Sequence, residues 1–217
     1  MTVSTRHQQC VALPPLGLEG ILGLPAGNAH GLILFAHGSG SSRLSPRNTY
    51  VAEALGKAGF ATLLFDLLSD EETDDRANVF DIPLLAERLV AATEWARADP
   101  VTGALPVSYF GASTGAAAAL AAAARLRNAI TAIVSRGGRP DLAGEALSRV
   151  EAPTLLIVGG EDGDVLALNR AARARMTCRC ELKVVPGATH LFEEPGALEQ
   201  VTALARAWFL EYSDAAV

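Results

Sequence analysis

A serine, an acid and a histidine follow one another along this chain, each beside glycines, and together they could carry out acyl chemistry. Ser113 stands in Gly111-Ala112-Ser113-Thr114-Gly115. A serine hydroxyl is a weak nucleophile until a neighbouring base takes its proton. The chain has four histidines to choose from. His7 lies in the opening stretch, expected to be loosely held, and His30 precedes an apolar run, at the wrong end of a strand. His190, in Pro186-Gly187-Ala188-Thr189-His190, is the expected base; a surface histidine in a turn is the plain alternative. A protonated imidazole needs a carboxylate to fix its tautomer and stabilise its charge. Three acids compete in Gly159-Gly160-Glu161-Asp162-Gly163-Asp164. Asp162, in the glycine-flanked loop, is the expected partner, with Asp164 second and Glu161 exposed. Asp164 fits better as the N-cap of a helix starting at Val165.

Acyl chemistry also needs donors for the oxyanion of a tetrahedral intermediate. One is expected to be the backbone N–H of Thr114, directly after the serine. The other is expected in His37-Gly38-Ser39-Gly40-Ser41-Ser42, with the Ser39 N–H favoured and Gly40 next. His37 then reads as a brace for that loop, a catalytic or metal role being the alternative. Ser113 itself has a simpler reading, as the cap of the helix that follows it.

These residues need elements to hold them. Residues 31–37 are an almost continuous apolar run, as expected of a parallel strand covered on both faces. Further strands are predicted over 60–66, 106–110, 129–135, 154–158 and 181–185. Helices are predicted over 46–57, 82–97, 113–127, 164–175 and 198–212, with Pro46 in a first turn. The helix after Ser113 is so rich in alanine that it must pack closely on the sheet. Two short strands, 9–12 and 19–24, around Pro14-Pro15 suggest an antiparallel edge. Alternating strands and helices predict an α/β fold, a mostly parallel sheet with helices on both faces. Residues 1–217 read as a single domain with its core over about 9–210. Ligands of such sheets sit at the carboxyl ends of the strands, where Ser113, Asp162, His190 and Ser39 all fall.

Composition narrows the function classes. Half of the 217 residues are hydrophobic, 19% are charged, and the net charge is −6. No basic stripe suggests nucleic acid, and no apolar stretch reaches the roughly 20 residues that span a bilayer. The start, MTVSTRHQQC, lacks the basic and apolar segments of a secretory signal. Cys10, Cys178 and Cys180 are too few for a disulfide framework, so a cytoplasmic setting is the default. Cys178-x-Cys180 could be a metal or redox pair, but no second ligand pair is nearby, and no metal or cofactor is expected.

Taken together, His37-Gly38, Gly111-x-Ser113-x-Gly115, Gly160-x-Asp162 and Gly187-x-x-His190 resemble the α/β-hydrolase superfamily. Within it, residues 37–43 with Pro46-Arg47-Asn48 are similar to small lidless members of the dienelactone hydrolase group. The likeness covers about residues 9–210. It implies an α/β-hydrolase fold without a large cap domain, and hydrolysis of small esters, lactones or thioesters without metal or organic cofactor. The order serine, acid, histidine is the one expected there. One departure stands out: dienelactone hydrolases proper use a cysteine nucleophile, and this chain has Ser113. That points towards a carboxylesterase-like acyl hydrolase.

Two features stand beside this reading. The acidic run Asp70–Asp75 reads as a solvated loop or helix start. Arg43, Arg47, Arg136 and Arg139 fall at or after strand ends and could hold an anionic substrate; pairing with those same acids is the preferred reading. An acyltransferase with the same triad and a non-catalytic binding protein on the same fold are the alternative functions. Nothing in the sequence marks an interface, and a homodimer is left open.

Overall fold

Strands apolar on both faces are stable only between two layers of helices, and this chain builds that arrangement. The computed structural model describes residues 7–213; the first six residues, part of the stretch read above for a secretory signal, lie outside them. The strands are β1 (His7–Leu13), β2 (Leu18–Leu24), β3 (Leu32–Ala36), β4 (Ala61–Phe65), β5 (Val107–Ala112), β6 (Ile133–Arg136), β7 (Thr154–Gly159) and β8 (Cys180–Val185). They lie in the order β1-β2-β4-β3-β5-β6-β7-β8. β1 and β2 form an antiparallel edge, and every pair from β4 to β8 is parallel. His7, expected in a loose opening, instead starts β1 opposite Leu24.

The helices are α1 (Pro46–Lys57), α2 (Asp70–Thr73), α3 (Arg76–Phe80), α4 (Ile82–Ala98), α5 (Thr114–Leu126), α6 (Gly163–Arg175) and α7 (Ala197–Ser213). Successive strand residues face opposite layers. Leu32, Leu34, Leu63, Tyr109 and Ile133 join α4 and α5 in one core. Ile33, Phe35, Phe110, Val134 and Ile157 join α1 and α7 in the other. The stretch between β6 and β7 holds only a 3-10 segment, Pro140–Arg149, kinked at Gly144. This is an α/β-hydrolase fold without a large cap.

Register brings the strand ends level. Ala36 pairs with Gly111, Ala112 with Arg136, and Gly159 with Val185. The residues that follow, at 37–45, 113, 137–139, 160–163 and 186–192, therefore share one rim. The first turn of α5 packs hard against the end of β3. A Cβ at Gly115 would stand 2.2 Å from the Ala36 carbonyl oxygen and 2.4 Å from that of His37. Behind it, Ala116, Ala117, Ala118 and Ala119 are fully buried.

His37 ties this rim together. Its Nε2 accepts the Leu67 N–H at 3.1 Å, which leaves Nδ1 as the protonated nitrogen, 3.1 Å from the Gly38 carbonyl oxygen. The neutral ring thus joins the β3 loop to the end of β4, and burial lowers its pKa from the usual 6.5. Protonation would break the Leu67 bond.

Two outcomes follow from this packing. Gly115→Ala must push backbone against backbone and is expected to lower stability by ~1–3 kcal/mol; an unchanged urea midpoint would refute the contact. For His37, the unfolded chain binds a proton before the folded one does as pH falls. Its contribution is therefore complete above about pH 6.5 and is lost on acidification down to the folded pKa. The slope from one such proton is at most ~1.4 kcal/mol per pH unit. Denaturant titrations between pH 7 and 5 should show a shallower decline for His37→Gln; identical declines would remove His37 as the cause.

Candidate active site

The reversal from β5 into α5 fixes Ser113. Its backbone takes φ 51° and ψ −122°, a strained conformation for a residue with a side chain. Three hydrogen bonds hold it there: the Ser113 N–H donates to the Arg136 carbonyl, and the Ser113 carbonyl accepts from Ala116 and Arg139. The hydroxyl caps no helix N–H, so the capping reading does not describe it. Gly38 lies against it, since a Cβ there would come within 2.9 Å of the Ser113 Cβ.

Two loops bring Asp162 to His190. The Gly160 N–H donates to the Val185 carbonyl and the Glu161 N–H to the Ala188 carbonyl. A Cβ at Gly159 would lie 2.3 Å from the Ala188 carbonyl oxygen, so only glycine lets these loops close. Asp162 Oδ2 then stands 2.6 Å from His190 Nδ1. That bond commits Nδ1 and leaves Nε2 as the nitrogen that can take a proton. The imidazole packs beside Gly137, one strand over from Ser113, where a Cβ would meet its Cε1 at 3.6 Å. Asp162 also occupies the N-cap position of α6, yet its carboxylate serves the histidine rather than the helix. Asp164, expected as that cap, lies inside the first turn instead.

The two N–H groups expected as oxyanion donors, those of Thr114 and Ser39, are placed differently. The Thr114 N–H is the first of α5, one of the helix N–H groups that have no partner within the helix. The Ser39 N–H, expected to point at the same place, donates instead to the Thr114 hydroxyl at 3.0 Å. A loop N–H must find an acceptor, and the side chain of the residue after Ser113 supplies one. A cavity of about 20 Å³ opens beside this loop, lined by Ser39, Leu68, Val79, Leu85 and Thr114 among others. A larger cavity, about 690 Å³, lies between Pro25–Asn28 and the end of α1 and is lined by none of Ser39, Ser113, Thr114, Asp162 and His190.

The charged residues sort themselves differently from the preferred reading. Arg43 pairs with Asp66 and Glu19, Arg139 with Asp141 at 2.8 Å, and Arg47 with Glu193 at 3.0 Å. None of these acids belongs to 70–75. Within that run Glu72 answers Arg88 and completes a capping box with Ser69, so part of the run is helix α2. Arg136 has no carboxylate partner among the described residues. Cys178 and Cys180 are free thiols, and burial beside Cys178 pushes Cys180 up to about 12. Among the described residues no group of three histidine, cysteine or acidic side chains could hold a metal ion, and no helix is long and apolar enough to cross a membrane.

Known proteins share this architecture. The chain is 61% identical over 202 residues to a Mycobacterium tuberculosis protein provisionally named a phosphoribosyl transferase; the match covers 93% of this chain and 45% of that protein. The chain thus spans about half the length of the curated relatives it matches. The crystal structure of a dienelactone hydrolase from Anabaena variabilis superposes with a TM-score of 0.90 at 54% identity, over 96% of this chain and 98% of that one. A Xanthomonas campestris protein described as an α/β serine hydrolase without a lid shares the fold, with a TM-score of 0.72 at 19% identity over 100% of this chain and 97% of that one. Residues 18–213 match the dienelactone hydrolase family as a whole, and to that family this chain belongs.

Proposed function

We propose that the chain is a serine hydrolase that cleaves small carboxylic esters, or related lactones and thioesters, through an acyl-enzyme. The observation that carries this reading is the 2.6 Å bond between His190 Nδ1 and Asp162 Oδ2, on the rim where Ser113 keeps an unspent hydroxyl. In this reading Ser113 Oγ attacks the substrate carbonyl carbon while His190 Nε2 takes its proton. Asp162 stabilises the imidazolium without taking that proton itself. The tetrahedral oxyanion accepts the Thr114 N–H, and the Ser39 N–H joins it once the Thr114 hydroxyl turns away. His190 then protonates the leaving group, whose bond to the carbonyl carbon breaks. Water, deprotonated by the same histidine, repeats the attack and frees the acid and Ser113.

The rim supports water as the acceptor, because among the described residues no large cap is inserted between β6 and β7. Membership of the dienelactone hydrolase family supports hydrolysis as the reaction class. The name phosphoribosyl transferase belongs to a protein of which this chain matches less than half. We therefore assign acyl chemistry to the portion described by Ser113, His190 and Asp162.

A fluorophosphonate probe is expected to label the wild-type protein at Ser113 and to leave Ser113→Ala unlabelled. Persistent labelling of Ser113→Ala would overturn the nucleophile, and an unlabelled wild type would favour a non-catalytic binding role. Asp162→Asn should fold normally yet lower kcat on p-nitrophenyl acetate by about 10³–10⁴, the scale of a wrongly held histidine tautomer. A loss below tenfold removes Asp162 from that role.

A further inference from the structure

Arg136 is the arginine on this rim that no acid answers. It ends β6, and the residue is only 7% exposed. Its Nη2 reaches Asn48 Oδ1 at a long 3.4 Å, while its Nε is buried without an acceptor. The charge felt most strongly there is another cation, Arg47, in the first turn of α1. Arg47 spends one nitrogen on Glu193, whose side chain is 64% exposed, and its own Nε is likewise buried without an acceptor. Asn48 is buried beside Arg136, while the Arg47 side chain is 34% exposed. A buried guanidinium beside a second cation is strongly unfavourable unless an anion answers it.

We propose that Arg136, Arg47 and Asn48 form a subsite for a phosphate group carried by the substrate. This rests on reading the Ser113 site as the place of catalysis. Its position fits that role. The Arg136 carbonyl accepts the Ser113 N–H, and Gly137, the next residue, packs on the His190 ring. Glu193, the partner of Arg47, lies three residues beyond His190. The backbone that carries Arg136 is thus in direct contact with both Ser113 and His190.

The number of charges and donors selects phosphate. Two neighbouring guanidiniums on separate elements each keep an unused buried N–H. A phosphate monoester brings a charge of about −1.5 to −2 and three acceptor oxygens, enough to answer both. With Glu193 already on Arg47 a carboxylate would balance the charge, but its two oxygens offer fewer acceptors to donors on two guanidiniums than the three of a phosphate. Guanidinium forks also match phosphate oxygens in pairs. The N-terminal turn of the twelve-residue helix α1 adds positive potential at the same place. Burial and the nearby Arg47 lower Arg136 to about 10, so it keeps its charge at neutral pH.

The test begins with binding rather than turnover. Inorganic phosphate, titrated into the full chain by calorimetry and thermal shift, should bind and raise Tm, with acetate at equal ionic strength doing neither. Arg47→Met and Arg136→Met should each weaken phosphate at least tenfold, and Glu193→Gln, which frees Arg47, should tighten it. If the buried Arg136→Met does not fold, Arg47→Met and Glu193→Gln carry the test. Absent phosphate binding, equal binding of acetate, or affinities unmoved by these variants would overturn the subsite. For turnover, the acetyl ester of a phosphorylated alcohol should exceed its neutral analogue at least tenfold in kcat/KM, with the gap closing in Arg47→Met. Hydrolysis of both esters at equal rates without phosphate binding sinks the subsite alone. Phosphate binding with no hydrolysis of either ester sinks the Ser113 reading instead.

Discussion

The chain turns at Ser113 through a backbone conformation that side chains resist, and the surrounding structure is arranged to hold it there. The left-handed φ is fixed from three sides, by the carbonyl of Arg136 and by the N–H groups of Ala116 and Arg139. Such a turn brings α5 back onto the sheet within one residue, so its first turn meets the backbone of Ala36 and His37 at a distance only glycine permits. Strain of this kind persists only where neighbours over-determine it. Here the neighbours are the end of β6, Arg139 just beyond it and the first turn of α5, so the turn and its surroundings hold one another.

A second closure, between the loops after β7 and β8, does for the acid and base what the turn does for the serine. Gly159 gives way to the Ala188 carbonyl, and two backbone bonds lock the loops in register. Only then does the carboxylate of Asp162 come within a short hydrogen bond of His190. The pairing is therefore a property of backbone packing first and of side-chain chemistry second. The glycines before Asp162 are as necessary to it as the acid.

Much of this was legible in the sequence, and the gaps have physical causes. Helix α1 begins at Pro46 and ends at Lys57 as expected, because proline and the glycine at 59 are local signals. β6 is shorter than its apolar run, since composition alone cannot separate a strand from the 3-10 turn at Arg127–Ala129 leading into it. Of the two readings of the acidic run, loop or helix start, the helix holds for Asp70–Thr73, and the capping-box spacing of Ser69 and Glu72 is the signal that separates them. Ser113, Asp162 and His190 could be chosen because each follows a strand and is marked by glycine. The partners of Arg43, Arg47 and Arg136 could not, because they come from elements far apart in the chain. The engagement of the Ser39 N–H with Thr114 depends on one side-chain rotamer, which no pattern of residue types encodes.

Helix α5 presents the sheet with little more than methyl groups, four alanines in succession lying fully buried behind the serine. A helix so narrow sits too close to its neighbours to accept larger side chains, and it contributes almost no chemical variety to the site. Room for larger side chains around Ser113 therefore lies in the loops of the rim rather than along this helix. The helix behind Ser113 is the element of the rim with the least room for larger side chains.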